Sequence, residues 1–378
     1  MRRQIKREQS PWPRLALPAV GFLAVAGVLF LIAFQLAQEG PLDLLLEQPT
    51  PPAETATNHP FALSRLHERL PPEALVRVEG YIEYFRTSRR RGFQDSLARS
   101  TRYLAGYRRI FRRAGVPEEL AFLPLIESGF VETAVSPAQA VGVWQFIAET
   151  GRRYDLSANH WFDKRRDPII SGYAAARYFR HLYKVFGDWD LALAAYNSGA
   201  GTVRWAVKVN RKAGRPTDFW ALELPEETRN YVPAFLAAML IAQNPPAFGF
   251  HDIRFMPKVV FEQIKVSPGF SLAFLAEKLG IEAETLFNLN PALLRGQIPP
   301  GTPQYSLRIP LGIRRQVPLR LTGIRPLTRD WVLHRVTSED TLQELASRYR
   351  ALPARIIKAN GLQGLRELTK GSILIIPL

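Results

Sequence analysis

Pro117-Glu118-Glu119-Leu120-Ala121-Phe122-Leu123-Pro124-Leu125-Ile126-Glu127-Ser128-Gly129 is the stretch that decides how this chain reads. Proline is tolerated at the first helical position and acids are favoured in the first turn, so Pro117, Glu118 and Glu119 predict a helix start. An apolar run follows, and Gly129 is the residue type that stands just past a helix end. Glu127 is therefore expected on an apolar helix, close to its negative end. Burial and the helix dipole would both disfavour the carboxylate and raise its pKa, which is the property a general acid needs. The stretch alone also fits an ordinary last-turn glutamate facing solvent.

Further blocks lie downstream. They are Ser136-Pro137-Ala138-Gln139-Ala140-Val141-Gly142-Val143-Trp144-Gln145-Phe146, then Arg166-Asp167-Pro168, Ala194-Ala195-Tyr196-Asn197-Ser198-Gly199 and Asn230-Tyr231-Val232-Pro233. In this order and spacing they resemble the soluble-lytic-transglycosylase catalytic domain, over roughly Leu66 to Phe250. That resemblance implies a lysozyme-like α-helical fold spanning 63–252. It also fits the local pattern, since Tyr173 to Phe186 carries apolar residues at helical spacing between Pro168 and Gly187. Asp167 is expected to start that helix, and Asp188 to cap the next, Trp189 to Asn197.

Composition narrows the partners. The 378 residues carry a net charge of +16 and a pI near 10.3, which suggests a polyanion: nucleic acid, anionic lipid or an anionic wall polymer. Arg89-Arg90-Arg91 and Arg108-Arg109 with Arg112-Arg113 are the densest basic runs, and each also reads as a solvated helix face. No nucleic-acid-binding signature accompanies them, so no nucleic-acid partner is expected. Without cysteine, thiol catalysis, disulfides and a lipid-modified N-terminal cysteine are excluded. The histidines show no ligand spacing, and neither a metal nor a cofactor is expected.

Arg2, Arg3, Lys6, Arg7 and Arg14 precede an uncharged stretch whose apolar part, Leu15 to Phe34, is long enough to span a bilayer. The positive-inside bias predicts a cytoplasmic basic tail (1–14), a transmembrane anchor (15–36) and export of the rest across the inner membrane to the periplasm. A cleaved signal peptide is the competing reading. Residues 37–62, rich in proline, are expected to be a linker.

After Pro257 the pattern changes. Trp331 to Val336, Thr341 to Tyr349, Leu352 to Asn360 and Gly371 to Pro377 read as strand, helix, helix, strand, with Asp340 a candidate cap for the first helix. This resembles a LysM module, a small glycan-binding domain, over 329–378. Residues 258–314 look like a more diverged copy, either a second glycan binder or a spacer. The expected fold is thus mainly α: a lysozyme-like catalytic domain followed by small βααβ modules, with one N-terminal transmembrane helix.

Most glycosidases use two carboxylates, yet only Glu127 sits in an apolar context here. A single acid is what the family resemblance implies. There the glutamate protonates the bond between N-acetylmuramic acid and N-acetylglucosamine in peptidoglycan and then acts as base, so that a 1,6-anhydro ring closes without water. The resemblance also places Ser128, Gln145, Tyr196 and Asn197 along the saccharide cleft and makes Tyr231 the residue that holds the acid. Glu132, a carboxylate near Glu127 in sequence, would favour hydrolysis if it faced the same site. A muramidase on the same fold and a non-catalytic wall-binding scaffold are the alternatives. Trp189 and Trp205 are expected in the core; Trp144 fits either core or cleft.

Overall fold

The structure is a computed structural model that describes residues 70–299, 304–321, 331–338, 340–360, 362, 368, 370–371 and 373–377. The expected basic tail, membrane anchor and linker lie outside these residues. Among the described residues no helix is long and apolar enough to cross a membrane.

The first part is helical. In order come α1 (Pro72–Arg86), α2 (Arg90–Ser100), α3 (Leu104–Arg113), a 3-10 turn (Glu118–Phe122), α4 (Pro124–Glu127), α5 (Ala148–Arg153), a 3-10 turn (Lys164–Arg166), α6 (Pro168–Phe186), α7 (Trp189–Ser198), α8 (Ala200–Lys212) and α9 (Glu226–Gln243). Local chemistry sets the ends of α6 and α7. Asp167 accepts from the Ile169 and Ile170 amides, Pro168 occupies the first turn, and Gly187 stops α6 at φ 68°. Asp188 caps α7 by accepting from the Leu191 amide at 2.8 Å.

The core forms where α3, α6, α7 and α9 face one another. Trp144 is fully buried, stacked 5.3 Å from Phe111 with the Tyr107 ring tilted against it at 5.0 Å, so it is a core residue rather than a cleft residue. Phe179, Phe235, Leu236 and Met239 are likewise sealed from water. Each such side chain stabilises the fold by about 1.5–3 kcal/mol relative to an exposed one. Trp189 lies half-buried, stacked on Tyr183 at 4.1 Å. Trp205 departs from expectation: it is 64% exposed, because α8 buries Val203, Ala206 and Asn210 and turns Trp205 outward.

Two small modules follow. In the first, β1 (Glu262–Val266) pairs antiparallel with β2 (Tyr305–Ile309), and α10 (Leu272–Leu279) and α11 (Ala283–Leu289) lie between them in sequence. Leu272, Leu275, Leu286, Ile298 and Leu307 fill its core, against which Val317 and Leu321 of α12 (Val317–Leu321) also pack. In the second, β3 (Trp331–Arg335) pairs with β4 (Ile373–Pro377) around α13 (Leu342–Arg348) and α14 (Pro353–Asn360). Here Thr341, not Asp340, caps α13 through a capping box with Glu344. Asp340 instead accepts from Thr337 and meets His334 Nε2 at 2.8 Å.

Candidate active site

A cleft of about 910 Å³ opens along the helical part, lined among others by Glu127, Gln145, Tyr196, Asn197, Glu227 and Tyr231. The element carrying Glu127 is not the continuous helix expected from Pro117. Proline has no amide hydrogen and restricts the residue before it, so the run is split at Pro124 into a 3-10 turn and the single turn α4. Gly129, at φ 59°, ends this turn. The Arg99 Nε–H then donates to its carbonyl at 2.6 Å, fixing the chain just past the glutamate.

Glu127 opens partly onto the cleft, yet its carboxyl group is enclosed by protein. Burial raises its pKa to about 7, the charge of Glu227 adds in the same direction, and the hydrogen bond donated by the Tyr231 hydroxyl to Glu127 Oε1 works against both. A one-turn helix has little dipole, so the dipole contribution expected from the sequence is supplied here by Glu227. Glu227 and Tyr231 are four residues apart on α9 and share one face. That spacing was the readable signal for Glu227, which sequence reasoning missed because it stands in an exposed, acidic first turn.

The other expected residues divide into two kinds. Tyr196 lines the cleft with its ring stacked 4.7 Å from Phe179, while its hydroxyl donates to the Trp144 carbonyl at 2.6 Å. Asn197 donates to Glu227 Oε1 at 3.1 Å and accepts from the Thr228 hydroxyl at 2.8 Å. Gln145 sits at φ 47° and spends its amide hydrogens on the carbonyls of Gly142 (2.7 Å) and Ala134 (3.4 Å). Since carbonyls only accept, its side-chain oxygen is the group left to offer a ligand. Ser128 is not part of the lining; its hydroxyl donates to the Val143 carbonyl at 2.8 Å and ties α4 to the wall opposite. Tyr81 of α1 also reaches the cleft, outside every block singled out in the sequence.

Glu132 does not join Glu127. It accepts from the Tyr103 hydroxyl at 2.7 Å and pairs with Arg102 at 3.2 Å, away from the cleft lining. The wall carrying Gln145 is held from behind by Arg165, which donates to the carbonyls of Gln139 (3.2 Å) and Phe146 (3.1 Å) while paired with Asp163. Gly142 packs so tightly on this support that a Cβ there would stand 1.9 Å from the Arg165 carbonyl. No side chain fits, and its φ of 85° excludes other residues independently.

Residues 110–218 match the transglycosylase SLT domain, residues 260–325 the LysM-like domain of lytic transglycosylase MltD, and residues 334–377 the LysM domain. The chain is 34% identical over 264 residues to membrane-bound lytic murein transglycosylase D of Escherichia coli (strain K12), covering 67% of this chain and 58% of that protein. It is 28% identical over 149 residues to membrane-bound lytic murein transglycosylase F of Cellvibrio japonicus, covering 37% of this chain and 28% of the relative. A putative tributyltin chloride resistance protein of an Alteromonas species is 37% identical over 108 residues, or 28% of this chain and 52% of the relative. The chain thus spans 58% of the length of the Escherichia coli relative it matches.

Proposed function

We propose that this chain, which carries a transglycosylase SLT domain followed by two LysM-type domains, is a peptidoglycan lytic transglycosylase with Glu127 as its single acid and base. The observation that carries this reading is the Glu127 carboxyl, enclosed at the cleft, bonded to Tyr231 and with a pKa of about 7. A carboxyl of that pKa retains a proton to donate near neutrality and is still basic enough to take one back.

Neutral Glu127 delivers its proton to the glycosidic oxygen between N-acetylmuramic acid and N-acetylglucosamine as the bond from C1 breaks. The carboxylate so formed then accepts the proton of the muramic acid's own 6-hydroxyl, and that oxygen closes on C1 as a 1,6-anhydro ring. Water is not consumed. An intramolecular nucleophile held beside C1 replaces the second carboxylate of a hydrolase. Tyr231 positions Glu127; Tyr196 offers a ring to the sugar face, and Asn197 and Gln145 offer amide groups to the substrate. The LysM-type domains bring the cleft to the wall. The stretch Leu15 to Phe34 anchors the chain in the inner membrane, with the cleft on the periplasmic side.

Glu227 favours a second reading. A carboxylate beside the acid could activate a water and make the enzyme a muramidase. Incubation with purified peptidoglycan and mass spectrometry of the released muropeptides separates the two. Anhydro-muramyl ends, absent with Glu127→Gln, are expected; reducing ends would make the chain a hydrolase, and no products would leave it a wall-binding scaffold.

A further inference from the structure

The segment 161–167 has the cleft wall on one side and the first LysM-type module on the other. Towards the cleft, the Arg165 guanidinium holds the Gln139 and Phe146 carbonyls. Towards the module, the Asp163 amide donates to the Ala292 carbonyl at 2.9 Å, and the Leu294 amide donates to the Trp161 carbonyl at 2.9 Å. Phe162 and Leu293 form an antiparallel bridge between these two bonds.

Arg308 of β2 completes the joint. Its Nη2 lies 2.8 Å from Oδ1 and 2.8 Å from Oδ2 of Asp167, the residue that caps α6, and both side chains are buried. The guanidinium is aimed before it meets its partner. Asn290 accepts from the Arg308 amide at 3.0 Å and donates to the Arg308 carbonyl at 2.8 Å, and the Phe261 ring lies 4.8 Å beneath the guanidinium carbon. A buried ion pair adds little net stability over apolar packing, but it tolerates only one register, because any other leaves a charge buried alone. Arg308 thus sets where the module sits on the 161–167 segment.

We propose that Arg308 is a positioning residue for the cleft. It holds the first LysM-type module on Asp167 as a fixed buttress, and the 161–167 segment passes that constraint through Arg165 to the wall bearing Gln145. The catalytic unit then extends from the helical part through β2, and the first module is a structural member of it. This rests on the proposed activity only where turnover is the readout.

Hydrogen exchange on the full chain, resolved to single amides, tests the joint directly. In the unaltered chain, the Asp163 and Leu294 amides are expected to exchange at least about a hundredfold slower than open-loop amides. Arg308→Met is expected to speed exchange across 139–146 while leaving the buried amides of α9 unchanged. Turnover of short soluble glycans should fall about tenfold in kcat with KM within about twofold, the pattern of a lost transition-state contact, and Arg308→Lys should recover part of it. Open-loop exchange at Asp163 and Leu294 in the unaltered chain would overturn the proposal even if Arg308→Met failed to fold. So would an unchanged 139–146 segment, or an unchanged kcat, in a folded Arg308→Met. An inactive wild-type chain with a protected joint would refute the proposed activity and leave the buttress standing.

Discussion

The cleft and the module joint both bury carboxyl groups, and they treat them in opposite ways. At the joint, Asp163 meets Arg165 at 2.7 Å and Asp167 meets Arg308 at 2.8 Å. In the cleft, Glu127 meets a tyrosine hydroxyl and the like charge of Glu227. Removing a carboxylate from water costs several kcal/mol in either place. A guanidinium offsets that cost at the joint and leaves a fixed anion that orders backbone. In the cleft the Tyr231 hydrogen bond offsets only part of the cost and no cation among the described residues is paired with Glu127, so the carboxyl keeps its proton to a higher pH. What separates a structural acid from a reactive one here is the partner, since both are buried.

Breaking the contrast at the cleft end gives the largest effect. Glu127→Gln should lower the rate of peptidoglycan cleavage about a thousandfold, within the range of general-acid contributions, while co-sedimentation with the wall is retained. The same change should stabilise the protein above neutral pH. With its pKa raised from 4.5 to about 7, Glu127 binds its proton more tightly folded than unfolded. That contribution is complete below about 4.5 and is lost as pH rises through about 7. At about 1.4 kcal/mol per pKa unit, urea unfolding should show the glutamine variant more stable by up to about 3 kcal/mol at pH 8 and indistinguishable at pH 4. Equal stability at both would mean that Glu127 is not enclosed.

At the joint, Arg165→Met strands Asp163 as a buried charge and should cost about 3–5 kcal/mol of unfolding free energy. A variant that melts with the wild type would erase the distinction between the two regions. Two smaller effects sharpen the contrast. The rate of cleavage should decline as pH rises through about 7, where Glu127 loses its proton. In Glu227→Gln the alkaline limb of that profile should move to lower pH, since the like charge that holds the proton on is gone. An unmoved limb would remove Glu227 from the electrostatics of the site.

How much of this was legible depended on whether the signal was local. Helix α6 could be read end to end, because Asp167, Pro168 and Gly187 act within a few residues of themselves. The Pro117–Gly129 run misled as to shape: its acids and glycine were read correctly, but Pro124 breaks the amide ladder, and two short turns replace one helix. Ser128 stands beside the acid in sequence, yet its hydroxyl is committed to Val143, a partner that only tertiary structure supplies. Trp205 faces solvent against expectation because an amphipathic pattern does not say which face meets the core. Arg308 reads only as a strand residue of the first module, and nothing local points to its pairing with Asp167. An arginine on a strand reads as solvent-facing, and its burial follows from Asp167, more than a hundred residues earlier.

The carboxyl that keeps its proton has a use at the bench. Carbodiimides and diazo esters react through the protonated acid, and surface aspartates and glutamates at pH 6 are almost wholly ionised. Glu127 is enclosed, but it opens onto a cleft of about 910 Å³ that admits a small reagent. A brief treatment at that pH should therefore label this one position ahead of the surface carboxylates, turning the proton that Glu127 retains into an address for a covalent probe.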